Sequence, residues 1–170
     1  MKTQQIYDGF IRFEERSAEI YLELSVRFLD DIDLSWFWVE MAMEEKQHAG
    51  LLQYCRETGI FATQLPGREQ ILNLKALFDD LEARVTDRKL DIDGAFEIAI
   101  ILESSEINDI YKNLTEPIEG PWYVLRKKID LSVRNHFEKL EASARRFNTS
   151  PELQQRLAAL SKRSSGEAPK

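Results

Sequence analysis

Met41-Ala-Met-Glu-Glu-Lys-Gln-His-Ala-Gly-Leu-Leu52 is the stretch whose reading decides the fold. Glu45 and His48 stand at i and i+3 in a run of helical periodicity, so both side chains project from one helix face. Met41, Leu51 and Leu52 continue that face one turn before and one turn after. A carboxylate and an imidazole aimed into a core are costly to bury unless they are paired or hold a metal ion. Glu-x-x-His on a bundle helix is one half of the ligand set that binds two metal ions between carboxylates. Taken alone, the pair fits a solvated helix face equally well, so the remaining helices must supply the other ligands.

Working outward, Ile6, Phe10, Phe13, Ser17, Tyr21, Leu24 and Phe28 recur at helical spacing and predict a first helix from about Gln5 to Leu29. Asp30 to Asp33 is a short acidic break, with Asp33 or Ser35 as N-cap of a second helix. That helix runs from about Leu34 to Glu57 and stops at Thr58-Gly59. So short a connection makes the two helices antiparallel neighbours. Trp36, Phe37 and Trp38 at the start of the second helix read as core and rim packing.

A loop containing Pro66-Gly67 leads to a shorter helix over about 69–88, embedded in a long crossover. Asp91 or Asp93 caps a third long helix, predicted from about Gly94 to Leu114, whose stripe of Phe96, Ile100, Ile107 and Ile110 also carries Glu103. Pro121 opens a fourth, reaching about Phe147 through Leu125, Ile129, Val133, Phe137 and Leu140, with His136 on its stripe. Ser150 and Pro151 restart a short fifth helix. The expected fold is all-α: a four-helix bundle of two antiparallel hairpins joined by a long helical crossover, plus a short C-terminal helix. That crossover is the ferritin-like connection. The domain is expected to span residues 1–163, with a disordered tail at 164–170.

Composition narrows the functional classes. The 170 residues, 43% hydrophobic and 31% charged, suit one globular domain with a sizeable core. A net charge of -7 argues against nucleic acid, which calls for a basic face. No apolar run approaches the roughly 20 residues that cross a bilayer. The N-terminus leads into an amphipathic pattern, unlike the apolar run of a signal peptide, so a cytoplasmic location is expected. Cys55 is the single cysteine, which excludes an internal disulfide and a four-cysteine metal site.

The candidate ligands come one helix at a time. The first helix offers Glu14 and Glu15, and one face cannot present both inward; Glu14 shares its face with Phe10, Ser17, Tyr21 and Phe28. The second supplies Glu45 and His48, the third Glu103 and Glu106 one turn apart, and the fourth His136. Both histidines of the chain therefore fall at ligand positions. The two hairpins are also weakly alike: His48 and His136 lie 88 residues apart, as do Glu15 and Glu103, while Tyr21 and Tyr111 lie 90 apart.

Glu14-x6-Tyr21 followed by Glu44-Glu45-Lys-Gln-His48-Ala-x-Leu-Leu resembles the first half of the rubrerythrin family, within the ferritin-like superfamily. Leu102-Glu103-x-x-Glu106 and His136-x-x-x-Leu140-Glu141 are similar to its second half, more loosely. The resemblance covers about residues 5 to 147. It implies a four-helix bundle, a non-haem di-iron centre and oxidoreductase chemistry with peroxide or dioxygen. Glu14, Glu45, His48, Glu103, Glu106 and His136 are the matching ligand positions.

Two departures bear on that expectation. Val133 stands where the family's second Glu-x-x-His has its glutamate, and the rubredoxin-like module with its four cysteines is absent, so a separate electron donor is expected. Charge counting keeps the site viable. Two ferrous ions carry four positive charges, against four carboxylates and two neutral imidazoles, with Glu106 replacing the missing carboxylate. Manganese or zinc could stand in for iron, and a homodimer is expected. Two other readings stay open: ferritin-type iron oxidation and storage in a larger shell, or a metal-poor helical module acting through protein contacts at Trp36, Trp38 and the fifth helix.

Overall fold

The periodic stretch before Asp30 forms α1 (Thr3–Arg27), and the segment carrying Glu45 and His48 forms α2 (Ile32–Thr58). This computed structural model describes residues 2–105 and 107–164; the side chains of residues 125, 128–135, 163 and 164 lie outside that description. Asp31 is the N-cap of α2, accepting from the Leu34 N–H at 3.0 Å, one turn earlier than Ser35 and two residues before Asp33. Asp33 instead sits in the first turn, where a negative charge complements the helix dipole. Gly59 closes α2 at φ +71°, a left-handed conformation that costs glycine little, with its N–H on the Cys55 carbonyl.

The crossover contains α3 (Arg68–Val85), and α4 (Ile92–Glu103) begins at Asp91, whose carboxylate accepts from the Gly94 N–H at 2.8 Å. α5 (Ile107–Thr115), α6 (Pro121–Arg146) and α7 (Pro151–Ser164) complete the chain. All seven elements among the described residues are helices, and no helix there is long and apolar enough to cross a membrane. α1 and α2 share the most extensive interhelical contact, α3 lies against α1, and α7 folds back along α6. The architecture is a helical bundle with a short C-terminal helix. The tail beyond Ser164 lies outside the described residues.

The third long helix corrects the expectation: it is two helices, interrupted directly after Glu103. The Ser105 N–H bonds the Leu102 carbonyl, tightening the last turn, and the Ile107 N–H reaches back to the Ser105 hydroxyl at 3.4 Å. Asn108 then donates to both the backbone carbonyl and the carboxylate of Glu103, at 3.1 Å each. Short polar side chains here supply bonds that compete with a continuous helical ladder. The break also solves a register problem. Eight residues of unbroken helix would leave Glu103 and Tyr111 about 80° apart around the axis. With the interruption, both are buried.

The core centres on Trp38, which is fully buried, stacked on Tyr21 at 5.9 Å and tilted against Phe96 at 5.0 Å. Phe13 stacks on Phe78 at 5.1 Å and fastens α3 to α1. Arg27 donates to the carbonyls of Val85, at the end of α3, and of Asp87 just beyond it, satisfying acceptors that the helix leaves open. Of the aromatic run at the start of α2, Phe37 and Trp38 are core, while Trp36 is exposed.

Candidate metal centre

Four helices deliver acidic or imidazole groups to one region of the core. Glu14 comes from the middle of α1, Glu45 and His48 from the middle of α2, Glu103 from the last position of α4, and His136 from α6. All five are buried, at 0 to 6% exposure, which charged or polar groups do not tolerate without partners. Glu15 points to solvent, so the structure places Glu14 inward. Glu106 lies outside the described residues, as does the side chain of Val133.

The five groups form two triads. Ligand atoms of Glu14, Glu45 and His48 lie within 4.8 Å of one another, and so do those of Glu45, Glu103 and His136. Glu45 belongs to both. The two imidazole rings face each other at 6.0 Å.

In the first triad, His48 Nδ1 lies 3.2 Å from Glu45 Oε2 and 3.7 Å from Glu14 Oε2. Glu14 Oε1 and His48 Nε2 are buried with no hydrogen-bond partner. The Tyr111 ring packs on the His48 ring at 4.6 Å. Burial pushes the Glu14 carboxyl up to about 8, against the opposing pull of His48. Burial also disfavours the charged form of His48, but Glu45 and Glu14 outweigh it and raise the imidazole to about 10.

The second triad is densely bonded. His136 Nδ1 lies 2.6 Å from Glu103 Oε2. Tyr21 donates its hydroxyl to Glu103 Oε1 at 2.7 Å, and Asn108 donates to Oε2. Burial works against the charge on Glu103, yet His136, Tyr21 and Asn108 together hold its pKa below the usual carboxylate value. His136 is raised well above an ordinary histidine, because Glu103 and Glu44 overcome its burial.

Glu44 is the residue that the sequence did not single out as part of the site. Its Oε2 lies 2.6 Å from His136 Nε2, and its Oε1 pairs with Lys139. Burial opposes its charge, but His136 and Lys139 prevail and lower it to about 2. Adjacent to Glu45, it points about 100° away around α2. Its contact with α6 depends on how two helices distant in sequence pack, so helical periodicity carried no signal for it.

Three carboxylates and two imidazoles make an all-oxygen-and-nitrogen donor set, suited to divalent iron, manganese or zinc. Either triad can hold a metal ion. The unpartnered Glu14 oxygen fits that use, since buried polar atoms otherwise require a hydrogen bond; His48 meets both carboxylates through Nδ1, which leaves its buried Nε2 on the outer side of the ring. The fold and the site together define a helical bundle with a buried glutamate–histidine cluster. Comparison with protein-family models, curated proteins and solved structures finds no match to the chain.

Proposed function

We propose that this chain is a non-haem di-iron protein of the rubrerythrin-like, ferritin-like type, with oxidoreductase activity toward hydrogen peroxide or dioxygen. The observation that carries the proposal is Glu45, buried between two triads and common to both. A carboxylate with two oxygens, set between two histidine-containing groups, is the bridging element of a two-metal site. Glu14 and Glu103 would each complete one side, and His48 and His136 would each bind one ion. Two iron ions held there would supply the two electrons that reduce an O–O bond.

The chain's own residues then have definable tasks. The buried rings of Tyr111, packed on His48, and of Trp38, stacked on Tyr21, keep bulk water from the cluster. Tyr21 holds a proton at its hydroxyl, donated to Glu103 Oε1 at 2.7 Å within the second triad. Asn108 and Tyr21 fix both oxygens of Glu103 in direction. Electrons come from a separate donor on this reading. A homodimer is supported by an exposed apolar strip: Leu22, Val26 and Leu29 share one face of α1 and its end, and Ile32 and Trp36 share one face of α2.

The test is reduction of hydrogen peroxide by protein loaded anaerobically with ferrous iron and supplied with a chemical reductant. Turnover should be lost in His48→Ala and in His136→Ala; equal rates in wild type and both variants would remove the oxidoreductase reading. An assembly far larger than a dimer, taking up many irons per chain, would move the function to storage. A specific observation favours one rival. Both ring nitrogens of His136 are already engaged by carboxylates, so the second triad is internally satisfied without metal, as a metal-poor structural module requires. That reading predicts unchanged thermal stability after chelation.

A further inference from the structure

We propose that Glu44 is the positioning residue of His136: it holds the imidazole from behind, through Nε2, so that Nδ1 faces Glu103 and Glu45. The inference rests on the di-iron reading for its purpose but on the geometry of the protein itself for its substance. A histidine that binds metal through one nitrogen needs its other N–H fixed by an acceptor, which sets the tautomer and the ring plane. His48 lacks such a partner, for its Nε2 is buried and unpartnered. His136 has one at 2.6 Å.

The partner comes from an unexpected direction. α6 has Val133 at the position three residues before His136, where a carboxylate would have completed its own Glu-x-x-His. The negative charge is supplied across the helix interface by α2, from the residue next to the shared Glu45. Lys139, one turn after His136 on α6, pairs with the other oxygen of Glu44. The chain Lys139–Glu44–His136–Glu103 thus runs from a partly exposed ammonium to the buried cluster without a gap. Lys139 anchors Glu44, and Glu44 orients His136. The pair also lies beside a groove between α2 and α6 that is lined by Phe37, Met41, Lys139 and Ala142. Met41 stands one turn before Glu45 and Lys139 one turn after His136, so the groove opens next to the second triad.

The proposal is tested on the full-length chain in two ways. In metal-free protein labelled with nitrogen-15 at histidine, the His136 Nε2–H proton should exchange slowly with solvent. Glu44→Ala should speed that exchange at least 10-fold, and Glu44→Gln, which keeps an acceptor oxygen, should restore most of the protection. Unchanged exchange in Glu44→Ala overturns the proposal, whether or not the protein binds metal. The second arm uses cobalt(II) as the probe, followed by its visible spectrum. Glu44→Ala should weaken one of two ions by about 10- to 100-fold, the range for loss of an outer-shell partner. Glu44→Gln should weaken it by no more than about 3-fold, and the other ion should bind as in wild type. Equal weakening of both ions counts against a role through His136. Wild-type protein that takes up no cobalt overturns the di-iron reading instead, while the exchange experiment still decides the role of Glu44.

Discussion

The two triads use the same chemistry and differ in how completely the protein satisfies them. Around Glu103 and His136, a tyrosine and an asparagine saturate the carboxylate, and a second glutamate, itself paired with Lys139, takes the other side of the ring. Around Glu14 and His48, one carboxylate oxygen and one ring nitrogen are buried with nothing to bond. An unsatisfied buried polar atom costs about 1–3 kcal/mol. Through that Glu14 oxygen the first triad therefore gains more from a cation than the second, since His48 already faces the carboxylates with Nδ1. The second is held in shape in advance, whereas the first is completed by what it binds.

The largest effect should follow from breaking what the triads share. Glu45→Ala removes a ligand from both, and affinity for both metal ions should drop by more than about 100-fold, beyond the loss expected from any outer-shell contact. Isothermal titration with ferrous iron under nitrogen measures this. Retention of one tight ion would show that the triads are independent and that Glu45 serves only one of them.

Metal-free protein should show the contrast in its pH dependence. Glu14 at about 8 and His48 at about 10 both lie above their ordinary values of 4.5 and 6.5. A group held above its unfolded value stabilises fully below that unfolded value and ceases to do so as pH rises through the folded one. The first triad therefore weakens the fold as pH climbs from about 4.5 to 10. Glu44, lowered to about 2, and Glu103, also lowered, have the opposite sign: their contribution is present above the ordinary carboxylate value and is lost on acidification. Urea midpoints should peak near pH 5, by this sign argument, and fall on both sides. His136, also raised, adds to the alkaline limb with the same sign, and a midpoint that rises steadily from pH 6 to 9 would contradict the assignment of that limb to Glu14, His48 and His136.

Smaller changes separate the triads further. Tyr21→Phe removes a buried hydrogen bond to a charged carboxylate and should cost about 1.5–3 kcal/mol in metal-free protein. Binding at the His48 side should change little. Asn108→Ala removes the cap that joins α5 to the end of α4 and should cost about 1 kcal/mol, read from the urea midpoint. If Asn108→Ala proved more damaging than Tyr21→Phe, the helix break would be the main support of Glu103, ahead of the tyrosine.

Much of this was legible in the sequence where the signal is local. Apolar spacing predicts α1, α2, α3 and α6, the Ser150-Pro151 start signal predicts α7, and the face shared with Phe10, Ser17 and Tyr21 favours Glu14 over Glu15. The break after Glu103 was hidden because Ile107 and Ile110 continue the apolar stripe, although the eight-residue step from Glu103 to Tyr111 was a trace of it. Asp31 does not stand out as the cap in the sequence, because Asp30, Asp31 and Asp33 offer equivalent capping oxygens within four residues. Glu44 was invisible as a site residue for a different reason: its role exists only where α2 meets α6. Periodicity reports which way a side chain points from its own helix, and it reports nothing about which distant helix it meets.

The most direct test of the central claim, that Glu45 joins two triads into one two-metal site, is the stoichiometry of ferrous iron bound anaerobically to the full-length chain. The shared carboxylate predicts about two ions per chain, as the bundle precedent expects, with neither retained tightly in Glu45→Ala. A single ion per chain, or none, would contradict it.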